Sequence, residues 1–134
     1  MRKQPPKAHA YPLPSGWTIL AGKTDSDNDT LTFEVARPND YWFHVHGMPG
    51  SHVILTSDFD GEPSKEDIKS AAAVAVYHSK ARQAGVTPVV CTQAKHISKP
   101  RGAKAGTVQT KRDRILKVRP GLPENPKHEA ESII

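Results

Sequence analysis

One stretch of this chain alone is built to be a long helix, and it limits what the rest can become. Residues 64–84 read SKEDIKSAAAVAVYHSKARQA, with Ser64 and Asp67 forming a start like a capping box and Gly85 placed to stop the helix. Ile68, Ala71, Ala72, Ala75 and Val76 recur at helical spacing, so the buried face is made of small side chains that let the axis approach a sheet closely. The spacing predicts a helix to about Ala84, with Lys80 and Arg82 at its C-terminal end complementing the helix dipole.

Everything else comes in short runs with strand character. Residues 17–22 (WTILAG) and 30–36 (TLTFEVA) flank the turn-rich 23–29 (KTDSDND), which predicts a hairpin with an acidic tip. Residues 37–40 (RPND) turn into 41–45 (YWFHV), and 47–50 (GMPG) lead tightly into 52–56 (HVILT). Four short strands on short links favour an antiparallel meander. After the helix, strand character returns at residues 87–92, 107–110 and 114–118. The expected class is α+β, a largely antiparallel sheet with one main α-helix packed on one face.

At 134 residues the chain suits one domain with its own core. Prolines 5, 6, 12 and 14 predict that residues 1–14 form an extended arm, residues 15–120 the domain and residues 121–134 a flexible tail. Cys91 is the only cysteine, which excludes an internal disulfide and a four-cysteine zinc cluster and fits a reducing compartment. The basic start lacks the apolar stretch of a signal peptide, and no window is long and apolar enough to cross a bilayer, so a cytoplasmic protein without membrane contact is expected.

The net charge of +5 is unevenly placed. Residues 95–119 hold nine Lys or Arg and one acid, Asp113, for +8, while the remaining chain sums to −3. Such localisation points to a polyanion, of which nucleic acid is the commonest; a solvated basic face is the alternative. Within this run SKPRGAKAG (98–106) joins cations to Gly102, Ala103 and Gly106, which let backbone amides approach phosphates, yet it is no Walker loop.

Alternation in residues 41–45 places Trp42, His44 and His46 on one face and Tyr41, Phe43 and Val45 on the other. If the Phe43 side meets the helix, Trp42 and the histidines offer a platform on which a base could stack. Trp42 as a core residue with hydrogen-bonded histidines is the competing outcome. His44, His46 and His52 could instead supply three nitrogens to a metal, although residues 47–51 offer no carboxylate. A nuclease would use His44 and His52 as base and acid, with Lys80 or Lys99 stabilising the phosphate.

The segments GWTILAGK, NDTLTFEVARPNDYWFHVHGMPGSHVIL, AAAVAVYHSKAR and KHISKPRGAKAGTV, taken in order, resemble the R domain of the NFACT family, the C-terminal RNA-binding module of ribosome quality-control factors. The resemblance covers residues 16–119. By position its signature falls on Gly22, Lys23, Asn28, Asp29, Asp40, Trp42, Phe43, His44, Pro49, Gly50, Ser51, His52, Tyr77, Ser79, Lys80, Lys99, Pro100, Gly102, Lys104 and Gly106. His46 stands where members often carry other residues, which weakens the metal site.

The resemblance implies a joint polar surface of the Trp42–His44 strand, the Ser51–His52 turn, Lys80 and the basic loop. It also implies a stand-alone version of a module that full-length members carry after a tRNA-recruiting domain and a coiled coil. The expected function is non-catalytic binding of tRNA or rRNA, on or near the large ribosomal subunit, with no cofactor. Lys99, Arg101, Lys104, Lys111, Arg112 and Arg114 would capture phosphates, while Asp40, Trp42, His44, Ser51, His52 and Lys80 would complete the surface. A protein-interaction module binding a ribosomal partner through a strand edge is the third class.

Overall fold

The computed structural model describes residues 6–123. Its centre is a six-stranded antiparallel sheet in the order β1-β2-β4-β3-β5-β8. The strands are β1 (Ala8–Pro12), β2 (Thr18–Gly22), β3 (Tyr41–Val45), β4 (Val53–Thr56), β5 (Thr87–Gln93) and β8 (Arg114–Val118). β6 (Ile97–Ser98) and β7 (Gln109–Thr110) form a separate two-stranded ribbon. The α+β class follows as expected, but β2 lies beside β4, and β3 lies between β4 and β5, so the sheet is not a sequential meander.

Pleating sorts the side chains onto two faces, each with its own core. Phe43, Val45, Val53, Leu55, Val89 and Cys91 pack with α2 (Lys65–Tyr77) through Ile68, Ala71, Ala72 and Ala75. On the other face Trp42, Ile54, Leu31 and Ile97 form a smaller cluster. That second cluster is covered by a helical segment and by the ends of the basic loop.

The helical segment corrects the expected hairpin. Residues Asp25–Thr30 form α1, which runs on into a π-helical turn, Leu31–Val35, where Ala36 N donates to Leu31 O at 2.9 Å. Thr24 and Asp27 close a complete capping box, and Asp25 and Asp27 lie in the first turn where the helix dipole favours them. The alternation in TLTFEV misled because Leu31 and Thr32, which are adjacent, are both buried while Phe33 and Val35 are exposed. That is a helical pattern of burial.

Two boundaries also differ. Ala8–Pro12, placed in the expected arm, pair with β2 from Ala8↔Gly22 to Pro12↔Thr18, and Leu13 is buried in the main core. Proline is tolerated because β1 is an edge strand with Pro12 at its end. Helix α2 stops at Tyr77 instead of about Ala84: Ser79 leaves the helix to bridge Gly50, and Ser51 N takes the His78 carbonyl at 3.1 Å. Of the expected tail, residues 124–134 lie outside the described residues, as do residues 1–5 of the arm.

Among the described residues β8 is the outermost strand on its side of the sheet, and Arg114, Ile115 and Lys117 along it are all exposed. No helix among the described residues is long and apolar enough to cross a membrane.

Candidate nucleic-acid interface

The basic loop is fastened at both ends and in the middle. The β6–β7 ribbon closes its base through Ile97↔Thr110 and Ser98↔Gln109. Lys99 folds back across it, donating from Nζ to the carbonyls of Lys104 at 2.8 Å and Thr107 at 3.1 Å while pairing with Asp29 Oδ2 at 2.9 Å. Asp29 Oδ1 accepts from Gly106 N at 2.9 Å. Gly106 adopts φ +87°, where other L residues are strained, and a Cβ there would lie 3.1 Å from the Asp25 carboxylate.

His52 fastens the same loop to the sheet. Its Nε2 stands 3.0 Å from the Gly106 carbonyl, an acceptor, so Nε2 carries the proton. Nδ1 of the neutral ring is then the acceptor, and Thr32 Oγ1 donates to it at 2.8 Å. Thr32 Oγ1 in turn accepts from Trp42 Nε1 at 3.0 Å. Trp42, Thr32, His52 and Gly106 thus form one fully assigned chain of donors and acceptors running from the sheet to the loop.

Burial, and the adjacent His44, push the His52 pKa down to about 4, so the ring is neutral at physiological pH. The backbone supports this position: His52 N donates to Asn28 Oδ1 at 3.1 Å, and Gly22 N donates to His52 O at 3.1 Å. Ser51 Oγ donates to Gly22 O at 2.7 Å.

These contacts correct several sequence expectations. Trp42 is 2% exposed and His52 is equally buried, so neither offers a face for a base to stack on. The competing outcome holds, with Trp42 in the core and its indole N–H satisfied. Both ring nitrogens of His52 are engaged, which leaves it no free proton or lone pair for the acid–base pair of a nuclease. His44, half-buried and stacked on Trp42 with centroids 6.0 Å apart, is the most exposed of the three rings and lines, with Trp42, His52, Gly106 and Thr107, a cavity of about 280 Å³. Burial also lowers its pKa. Among the described residues no three His, Cys, Asp or Glu side chains converge as a metal would require.

Asp40 is a clamp at the far end of β3. Buried to 2% exposure, it accepts from Arg37 N at 2.8 Å, Arg37 Nη2 at 3.0 Å and Thr56 Oγ1 at 2.6 Å. Lys99 is likewise an internal fastener. Arg101, Lys104, Lys111, Arg112 and Arg114 are exposed and have no ion-pair partner among the described residues. Arg112 has φ 51°, the sole positive value on a non-glycine residue among those described, and Thr92 Oγ1 supports that turn by donating to Lys111 O at 2.8 Å. Arg112 and Arg114 flank a recess of about 450 Å³ with Tyr41, Gln93 and His96.

Lys80 belongs to a different place. In the turn after α2 it joins Lys23, Arg82, His9 and His78 around an open basin of about 640 Å³, whose rim includes Gly22, Gly50, Ser51 and Ser79. His9 carried no signal in the sequence and Arg82 only that of a cation at a helix end, because the β1 pairing and the early end of α2 bring them there. Lys23, Ser51, Ser79 and Lys80 were marked by the resemblance, which joined Ser51 and Lys80 to the strand face and the basic loop and gave Lys23 and Ser79 no place in that surface.

A single antiparallel sheet with a helix on one face and a cationic hairpin fastened to the other defines a small α+β module that presents a preformed basic loop. The chain belongs to the family of the NFACT protein RNA-binding domain, whose model matches residues 7–112. It is 43% identical over 103 residues to the Rqc2 homolog RqcH of Bacillus subtilis (strain 168), covering 77% of this chain and 18% of that protein. With the Rqc2 homolog RqcH of Streptococcus suis (strain 05ZYH33) it shares 41% identity over 115 residues, covering 85% of this chain and 20% of the relative. The chain therefore spans about a fifth of the length of these relatives. A solved structure of the C-terminal part of the fibronectin/fibrinogen-binding protein from Streptococcus suis matches with a TM-score of 0.79 and 35% identity, covering 98% of this chain and 50% of that one.

Proposed function

We propose that this chain is a non-catalytic cytoplasmic RNA-binding module that captures tRNA or ribosomal RNA, on or near the large subunit, in ribosome-associated quality control. One observation carries the reading: Arg101, Lys104, Lys111, Arg112 and Arg114 are exposed, without ion-pair partners among the described residues, on a segment held in fixed shape by Asp29, Lys99 and His52. Prefixed cations lose little conformational entropy on meeting phosphates, and their charge is not already neutralised. Family membership and the names of the RqcH relatives support RNA and quality control as the setting. With Trp42 buried, base contact falls to His44 and to the recess of Tyr41, Gln93 and His96.

Equilibrium binding of labelled tRNA and large-subunit rRNA fragments between 50 and 200 mM salt tests this. Neutralising about six phosphates weakens binding roughly a thousandfold over that range. Lys104→Glu/Arg112→Glu should abolish capture while keeping the fold. An affinity indifferent to salt and to that variant would sink the proposal.

A further inference from the structure

The largest cavity among those described is not on the basic loop. It lies where the end of β2, the turn before β4 and the turn after α2 meet, and it gathers Lys23, Lys80 and Arg82 with no carboxylate among its lining residues. We propose that this basin seats a phosphate of the RNA backbone between Lys23, Lys80 and Arg82, over the stacked rings of His9 and His78. The inference rests on the RNA-binding reading and adds a second anchoring point to it.

The three cations are free to receive an anion. None has an ion-pair partner among the described residues. Arg82 is also held in place: its guanidinium lies 4.0 Å over the Tyr77 ring, and Nε donates to Tyr77 O at 2.6 Å, leaving the two Nη groups for a bidentate phosphate contact. Helix α2 ends here, and free C-terminal carbonyls would repel an anion. They are occupied instead: Ser79 Oγ donates to Val76 O at 2.7 Å, Arg82 Nε takes Tyr77 O, and Ser51 N takes His78 O.

Close backbone approach builds the basin wall. A Cβ on Gly50 would lie 2.9 Å from Ser79 Cβ, so glycine there lets the turn before β4 touch the turn after α2. The floor is a parallel pair of imidazoles, His9 and His78, with centroids 4.3 Å apart, and the Tyr11 hydroxyl lies 2.7 Å from His78 Nε2.

The titratable and charged groups facing this pair are Tyr11 from β1, Lys23 beyond β2, and Tyr77, Lys80 and Arg82 from the end of α2; residues 49–51 bring none. Burial first, then His9 and Arg82, lower His78 to about 4, and burial, Lys23 and Arg82 lower His9. Burial is the larger cause, and the smaller share due to Lys23 and Arg82 is the part a docked phosphate would offset. The basin is wide and open, which suits one unit of a polymer passing through more than an enclosed small metabolite.

The test follows the imidazole resonances of His9 and His78 by NMR, with exposed His46 as reference, while wild-type protein is titrated with a short oligouridylate and, separately, with sodium pyrophosphate. In parallel, Lys23→Ala/Lys80→Ala/Arg82→Ala is compared with wild type for oligouridylate affinity across a salt series. The expected result is that RNA moves His9 and His78 and leaves His46 in place. The triple variant should bind at least tenfold more weakly, with a salt slope smaller by about 0.7, the share of one phosphate contact on a single strand.

RNA that binds while both resonances stay still and the variant matches wild type would overturn the basin and leave the RNA-binding reading standing. Pyrophosphate that moves the histidines while RNA does not would also overturn it, making the basin a pocket for small phosphates. Failure of wild type to bind any RNA would instead remove the proposed function on which the inference rests.

Discussion

Asp29 and Lys99 meet at 2.9 Å, and the ammonium that looks in sequence like a phosphate ligand is turned inward to brace the loop that carries it. Asp29 holds the loop twice, through Lys99 and through Gly106 N. Lys99→Met should therefore loosen the loop and speed amide exchange at Gly106 while leaving the salt slope of RNA binding unchanged. Lys104→Met should lower that slope by about 0.7–0.9 without affecting Gly106. Equal slopes for the two variants would show that Lys99 contacts phosphate after all.

Trp42 tests whether the strand face binds or merely packs. Trp42→Phe removes the N–H donated to Thr32 and should cost about 1 kcal/mol of stability, while Trp42→Ala leaves a cavity costing about 3–5 kcal/mol. RNA affinity of the folded Trp42→Phe protein should stay within about twofold of wild type. A large loss of affinity at unchanged thermal midpoint would return Trp42 to the binding surface.

Gly22 has no room for a side chain, since a Cβ there would lie 2.1 Å from Asn28 Oδ1, the atom that accepts His52 N. Gly22→Ala should destabilise by about 1–3 kcal/mol, the usual range for overpacking. Chemical denaturation checks the value, and a midpoint unchanged within error would mean that the α1 contact is dispensable.

The fold should weaken as the solution turns acid. In the fold His52 takes up a second proton only at about pH 4, against an ordinary 6.5, so on acidification the unfolded chain takes up that proton first. Stability from this group is complete above about pH 6.5, declines by at most about 1.4 kcal/mol per pH unit below that, and stops changing near pH 4. His78 acts with the same sign but is half-exposed, so its share is reduced by solvent. Thermal melts from pH 7 to 4.5 should show a fall that His52→Gln flattens.

Much of the fold was legible because its central strands are short apolar runs and α2 has both a cap and a face. β1 was obscured by flanking prolines that an edge position tolerates, α1 by a run of turn formers, and the π-helical turn after it by an alternating pattern whose inward residues prove adjacent. The end of α2 depended on a bridge between Ser79 and Gly50, which no local signal encodes. For the site, charge density located the loop, yet it could not tell Lys99, which braces, from Lys104, which is free. That distinction lies with Asp29, far away in the chain, and only tertiary structure supplies it.

The outer edge of β8 has a consequence for how the molecule behaves in company. Two copies meeting strand to strand along this edge would bring Arg114 and Lys117 of each against the other, with the exposed Ile115 between them. Like charge keeps such encounters brief, so part of the positive charge concentrated in this region also serves as a guard against self-association. Added salt, which weakens the grip on a polyanion, lowers that guard as well, and colloidal stability should decline in the conditions that release RNA.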